Sequence, residues 1–294
     1  MAIVKYLNPR NDVAFKKIFG TEKNKDILIH FLNDVIVTGT KGIIKQVTLL
    51  NPVQQPEIAH KKQSIVDVLC EDENGTQYIV EMQVAKVGGF EKRAQYYAAK
   101  AYASQADKGN SYEHLKEVIF LAITEYTMFP KKPHYKSVHV ILDQNSHERD
   151  LQDFSFTFLE LPKFKKVAIS ELKTYEEKWC YFFKYAHDGE SIESILADSD
   201  EVIKKAYHEL EAHNWTNAEL SAYEAEEKSA RDAKAREEYV KQEGIEQGKR
   251  EGFQEGEAKG KLDIAKKMLQ EGFEPSVISK FTDLSIQDIE KLSS

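Results

Sequence analysis

Two short apolar runs each carry one carboxylate where water is scarce. The first reads Ser64-Ile65-Val66-Asp67-Val68-Leu69-Cys70, the second Gln77-Tyr78-Ile79-Val80-Glu81-Met82-Gln83-Val84. Burying an ionised carboxylate is costly unless a cation or hydrogen-bond donors compensate it. Two such residues on neighbouring strands therefore predict a shared cation, and the oxygen-rich donor set suits Mg2+ with several waters retained. The chemistry that follows is hydrolysis of a phosphodiester, in which a metal polarises a phosphoryl oxygen and makes a bound water more acidic. Gln83, two residues beyond Glu81 on the same strand face, adds an amide that can orient a water or coordinate through its carbonyl.

The connection between the runs decides whether the carboxylates meet. Glu73-Asn74-Gly75 fits a three-residue hairpin loop ending in a left-handed glycine. That loop sets Asp72 opposite Thr76 and hence Asp67 opposite Glu81. A two-residue Asn-Gly loop would slip the register by one and separate them.

The elements around the hairpin are read from periodicity. A helix capped by Asn11 or Asp12 runs through Phe15, Ile18 and Phe19 and stops at Gly20. A second carries Ile27, Leu28, Phe31, Leu32 and Val35 at helical spacing. Residues 42–50 read as a strand. Phe90 to Ala106 reads as a helix ending near Gly109, and Glu117–Thr124 as a buried central strand. Val138–Leu142 and Phe154–Leu161 are two further strands, and helical patterns dominate after Tyr175. The order implies an α/β fold with a mixed sheet.

Several basic and acidic residues join the candidate site. On the helix after the hairpin, Arg93, Tyr96, Tyr97 and Lys100 share a face. Arg93 and Lys100 are candidate phosphate contacts, with an ion pair as the other reading of Arg93 and core packing that of Tyr97. In the first helix Asp12 is either an N-cap or a third acidic metal ligand. Lys16 is either part of a solvated face or a DNA contact.

The chain has 294 residues, 41% of them hydrophobic, with 15 Phe and 14 Tyr. It can bury a large core. No stretch approaches a membrane span of roughly 18–20 apolar residues, Met1–Lys5 opens no secretory apolar region, and the two cysteines, Cys70 and Cys180, form neither a disulfide framework nor a zinc site. A cytoplasmic protein is expected. Net charge is −8, but residues 1–100 carry +3 and the remainder −11, so the half with the carboxylate pair is the less acidic one. Overall charge is thus no objection to a nucleic-acid substrate. The histidines show no His-Glu-x-x-His spacing, and no Walker loop, Gly-x-Gly-x-x-Gly or Gly-x-Ser-x-Gly occurs.

Past residue 200 the composition changes. Ser221–Lys261 is rich in Glu, Lys, Ala and Gln, and Gly244, Gly248, Gly252, Gly256 and Gly260 recur every four residues. On a helix they form a bare ridge suited to close approach of another helix; a solvated connector and a disordered tether are the other readings. From Lys261 to Ser294 three short helical stretches with tight turns resemble a helix-turn-helix unit, with a helical cap that packs on a partner as the alternative. The expected division is a domain over 1–200, a glycine-periodic helical connector over 201–261 and a small helical tail over 262–294.

Asn11-Asp12-Val13-Ala14-Phe15-Lys16-Lys17-Ile18-Phe19-Gly20, Phe31-Leu32-Asn33, Asp67, Glu81-Met82-Gln83, Arg93, Tyr97, and Gly109 before Tyr112 together resemble the recombination-promoting nuclease (Rpn)/transposase family of bacteria, within the PD-(D/E)XK nuclease superfamily. The resemblance covers roughly residues 5–160, and both tail segments look like tails common in that family. It implies a restriction-endonuclease-like core of helix, three-stranded meander, helix and strand. It further implies a divalent-metal-dependent DNA endonuclease using Mg2+, with Ca2+ or Mn2+ as alternatives, linked to recombination or mobile elements. Asp67 matches the metal-binding Asp, Glu81 the second acid and Gln83 the position that is Lys in the wider superfamily; Val66 stands where that superfamily has Pro. The alternative is a catalytically weak or inactive nuclease-like module for oligomerisation or protein interaction. DNA and, through the C-terminal helices, further copies of the chain are the expected partners.

Overall fold

The computed structural model describes residues 5–36, 42–54, 64–106, 111–188 and 192–292. Gly109, His60 and the extreme N-terminus, on which parts of the sequence reading fall, lie outside them. The chain forms two compact units, divided at residues 227 and 228.

The first unit opens with helices α1 (Asp12–Phe19) and α2 (Lys25–Val35), followed by strands β1 (Val47–Leu49), β2 (Val53–Gln54), β3 (Ser64–Ile65), β4 (Val68–Asp72) and β5 (Gln77–Gln83). Then come α3 (Phe90–Ala103), β6 (Val118–Thr124), β7 (Lys136–Val140), β8 (Phe154–Glu160), α4 (Tyr175–Tyr185), α5 (Ile192–Ala197) and α6 (Glu201–Glu209). A long helix, α7 (Asn217–Gln270), continues into the second unit, which ends with α8 (Pro275–Thr282) and α9 (Ile286–Lys291).

Among the described residues the main sheet has strand order β1-β4-β5-β6-β8-β7. Its meander is antiparallel, whereas β6 runs parallel to both β5 and β8, so the sheet is mixed as expected. Every residue of β6 is buried, which is why its sequence shows no polar alternation. Its side chains instead divide between two cores. Ile119, Leu121 and Ile123 join Val68, Cys70, Val80 and Met82 beneath α1, α2 and α4, where Phe15, Phe19, Phe31, Trp179 and Phe183 form an aromatic cluster. Phe120 and Ala122 join Leu69, Ile79 and Phe158 on the opposite face, covered by Phe90, Ala94, Ala98 and Ala101 of α3. The small alanines let α3 lie close to the sheet.

The predicted elements hold with changed ends. Strand 42–50 contracts to β1, and the strand expected at 138–142 is centred two residues earlier as β7. The run from Ser64 to Cys70 is not one strand. Ser64 and Ile65 pair with β2 in a separate two-stranded ribbon, and the chain bends at Asp67 before β4 begins. The second unit has its own small core, in which Ala265, Ile278 and Ile289 are fully buried against Met268, Leu269, Leu284 and Leu292. No helix among the described residues is long and apolar enough to cross a membrane.

Candidate active site

The hairpin turn fixes the site. Gly75 adopts φ 84°, its N–H donates to the Asp72 carbonyl at 3.0 Å, and the Asp72 N–H donates to the Thr76 carbonyl at 3.0 Å. This is the three-residue loop the sequence predicts, and a side chain at Gly75 would be strained by that φ. The ladder then aligns Cys70 with Tyr78 and Val68 with Val80. One step further, Asp67 stands opposite Glu81.

The bend at Asp67 turns this alignment into a contact. In a continued ladder the N–H of Met82 would meet Val66, but the Val66 N–H donates to the Pro52 carbonyl instead, at 3.1 Å. The Met82 N–H donates to Oδ2 of Asp67 at 2.8 Å, and the Asp67 N–H donates to Oε1 of Glu81 at 3.2 Å. Each carboxylate is held by the other strand's backbone. Glu81 lies on the α3 side of the sheet, since it alternates with Val80 and Met82, which face the opposite core.

Neither carboxylate is well solvated: the Glu81 side chain is 4% exposed and that of Asp67 15%. Burial pushes the Asp67 carboxyl up to about 6, against the lowering pull of the Met82 N–H and Lys16 and with an upward push from Asp12. Burial, then the adjacent Asp67, pushes Glu81 up to about 8, with Arg93 opposing. Two adjacent buried acids, both pushed upward, mark a candidate functional site.

The flanking residues divide into those that reach the pair and those that do not. Asn11, not Asp12, caps α1, accepting from the N–H groups of Val13 and Ala14. Asp12 sits one position inside, and its carboxylate lies 2.7 Å from Lys16 Nζ, which in turn lies 3.5 Å from Asp67 Oδ1. Lys16 thus bridges Asp12 and Asp67. Among the described residues no group of three or more His, Cys, Asp or Glu side chains is arranged to hold a metal, and Asp12 adjoins the pair through a hydrogen bond with the Asp67 carboxyl.

Gln83 is fully engaged. Its Nε2 donates to Glu81 Oε2 at 3.1 Å and to the Met82 carbonyl at 3.2 Å, and its Oε1 accepts from Arg93. Arg93 Nη2 is 3.9 Å from Glu81 Oε2, and its guanidinium lies over Phe90 at 4.8 Å and Tyr97 at 5.9 Å. Tyr97 packs against the α3-side core while Tyr96 is exposed. Lys100 is half-buried seven residues along the helix from Arg93, about 10 Å by helical rise.

Two residues not singled out from sequence border the site. Glu125 follows β6; its N–H donates to the Gln83 carbonyl at 3.0 Å and its carboxylate takes Arg10 Nη1 at 2.7 Å. Tyr126 lies beside Arg93, and burial raises its hydroxyl. Both sit just past the carboxyl end of the central parallel strand, where open α/β sheets place their ligands; that position was the available signal.

The family model described as PD-(D/E)XK nuclease family transposase matches residues 9–239, and that of the Rpn/YhgA-like nuclease family C-terminal HTH domain matches residues 258–294. Neither a curated protein nor a solved structure matches the chain significantly. A meander and crossover that bring Asp67 and Glu81 into contact agree with the first match, and the three-helix core of the second unit agrees with the other. The chain therefore belongs to the PD-(D/E)XK nuclease family transposases and ends in an Rpn-type helix-turn-helix domain.

Proposed function

We propose that the chain is a cytoplasmic, divalent-metal-dependent DNA endonuclease that hydrolyses phosphodiester bonds, in recombination or mobile-element biology. The reading rests on one observation: the carboxylates of Asp67 and Glu81 adjoin, Asp67 accepting from the Met82 N–H and Glu81 from the Asp67 N–H. Their oxygens fit a hard divalent cation, and burial without enough neighbouring positive charge leaves both reluctant to ionise in its absence. Asp67 and Glu81 would hold Mg2+, or Mn2+ or Ca2+ in its place. When bound, such an ion polarises a phosphoryl oxygen and acidifies a water.

The chain's own residues do the rest. The N–H of Met82 and that of Asp67 keep the carboxylates oriented without rotation, and the Gln83 amide fixes the second oxygen of Glu81. Lys16, although bridged between Asp12 and Asp67, and Lys100 would add positive charge for the phosphate backbone. The helix-turn-helix tail adds a second DNA contact, and the glycine ridge of α7 supports assembly of several copies. One Asp-Glu pair accounts for strand cleavage alone and not for strand joining.

A second reading is favoured by Gln83. With its amide donors and its carbonyl all engaged by protein groups, it has little left to direct a water, as in a nuclease-like fold kept for interaction. Nicking of supercoiled plasmid in Mg2+ and Mn2+ separates the two. Asp67→Ala is expected to abolish nicking while the far-ultraviolet circular dichroism stays unchanged. Full activity of the variant rules out the site; an inert wild type across metals and substrates favours the interaction module.

A further inference from the structure

The carboxylate pair accounts for cation binding, but phosphodiester hydrolysis also builds negative charge on the phosphoryl oxygens, and a fixed positive group aimed there is a large part of catalysis. Gln83 is neutral and cannot supply it. Arg93 is turned toward the same place. One of its nitrogens donates to Gln83 Oε1 and lies 3.9 Å from Glu81. Its guanidinium rests on Phe90 and Tyr97, which restrict its swing.

Two further facts argue against a closed structural ion pair. The Arg93 side chain is 31% exposed, so part of it still faces solvent beside the pair. Its Nε is buried without a hydrogen-bond partner, as is the hydroxyl of the adjacent Tyr126. A guanidinium has five donors in a planar fork. Here Nη2 is anchored and Nε is unmatched, an arrangement suited to a planar oxyanion and not to a finished salt bridge.

We propose that Arg93 is the fixed cation that meets the scissile phosphate, and that Gln83 is the positioning residue that holds it there. The proposal rests on the carboxylate pair being the cleavage site. In the reaction, water forms a bond from its oxygen to phosphorus and gives one proton to solvent. The bond from phosphorus to one sugar oxygen breaks, and that oxygen departs with the electron pair and takes up a proton from solvent. Arg93 counters the charge on the non-bridging oxygens during this exchange, and Gln83 contributes orientation only.

Cleavage kinetics on plasmid and titration calorimetry with Mn2+ alone test this on the full chain. Arg93→Gln is expected to bind Mn2+ as tightly as wild type or tighter, since a competing cation is gone, while kcat falls about 10²- to 10³-fold and KM changes far less. Arg93→Lys keeps charge on a similar stem and is expected to cleave faster than Arg93→Gln. The double variant Arg93→Gln with Gln83→Lys moves the charge onto the strand and is expected to regain cleavage over Arg93→Gln alone. Wild-type kcat in Arg93→Gln, with Asp67→Ala inactive, overturns the role of Arg93 and leaves the site standing. Activity in Asp67→Ala removes the site itself, a distinguishable failure. Equal loss in Arg93→Gln and Arg93→Lys, accompanied by loss of Mn2+ binding and a lower melting temperature, assigns Arg93 to structure and also overturns the proposal.

Discussion

At the scale of residues, the fold maintains a costly arrangement. Asp67 and Glu81 are pushed up to about 6 and about 8, chiefly by burial. An acid whose folded pKa lies above its unfolded value binds more protons when folded, so stability falls as pH rises from the unfolded value near 4 through the folded one. Above pH 8, metal-free protein therefore carries the whole penalty. Asp67→Asn and Glu81→Gln remove a charge and keep the shape, so each should raise the melting temperature of metal-free protein at pH 8.5 by a few degrees and by less at pH 5. Thermal scans in the presence of a chelator check this. An unchanged or lowered melting temperature at pH 8.5 would mean that neighbouring donors already compensate the pair. Divalent cations should stabilise wild type at pH 8.5 and do little for either variant, since binding to the folded state alone shifts the melting equilibrium.

At the scale of elements, what was legible in the sequence was whatever local chemistry determines. The turn residues Glu73-Asn74-Gly75 sufficed to pin the register, and with it the meeting of positions 67 and 81. The all-apolar run of β6 announced a strand covered on both faces. What stayed hidden depends on long-range partners. The break at Val66 exists because Pro52 and β2, far back in the chain, capture the segment before it. The engagement of Gln83 by Arg93 depends on how α3 returns across the sheet, which helical spacing alone does not give.

The helices behind the sheet are tied by another long-range contact. His30 on α2 lies 2.7 Å from Asp34 and 2.5 Å from Asp200, the N-cap of α6, and Asp34 also accepts from the Trp179 indole at 2.8 Å. Burial alone would lower the imidazole, but the two aspartates outweigh it and the net shift is upward. A raised histidine stabilises the fold fully below its unfolded value near 6.5, and the gain is lost as pH climbs through the folded value. His30→Gln should therefore cost more stability at pH 6 than at pH 9, by roughly 1 kcal/mol or more at the lower pH, the scale of a charge-assisted hydrogen bond. Urea denaturation at both values reads the difference. An equal cost at both pH values would show that His30 acts by packing against Tyr175 and Trp179 and not by charge.

At the scale of the whole molecule, α7 is the feature the nuclease site does not require. Residues 228–259 of this helix are all exposed, and nothing lies within 4 Å of the position a Cβ would take at Gly244, Gly248, Gly252, Gly256 or Gly260. Five interior glycines cost a helix about 4–5 kcal/mol relative to alanine, a large sum for residues with no contact in the single chain. Tyr239, Val240, Ile245 and Phe253 are exposed along the same stretch. If the bare ridge serves close packing between copies, adding methyl groups has two opposed effects. Each alanine stabilises the isolated helix by about 1 kcal/mol, and each also holds a second helix away. The triple replacement of Gly248, Gly252 and Gly256 by Ala should then raise the helical content of the tail while shifting the mass measured by light scattering from oligomer toward monomer. A wild type that is monomeric at micromolar concentration, or an oligomer whose mass is unmoved by the three methyl groups, would leave the ridge with no role in assembly. The glycines would then weaken a solvated helix, and the long connector would serve only to join the first unit to the helix-turn-helix.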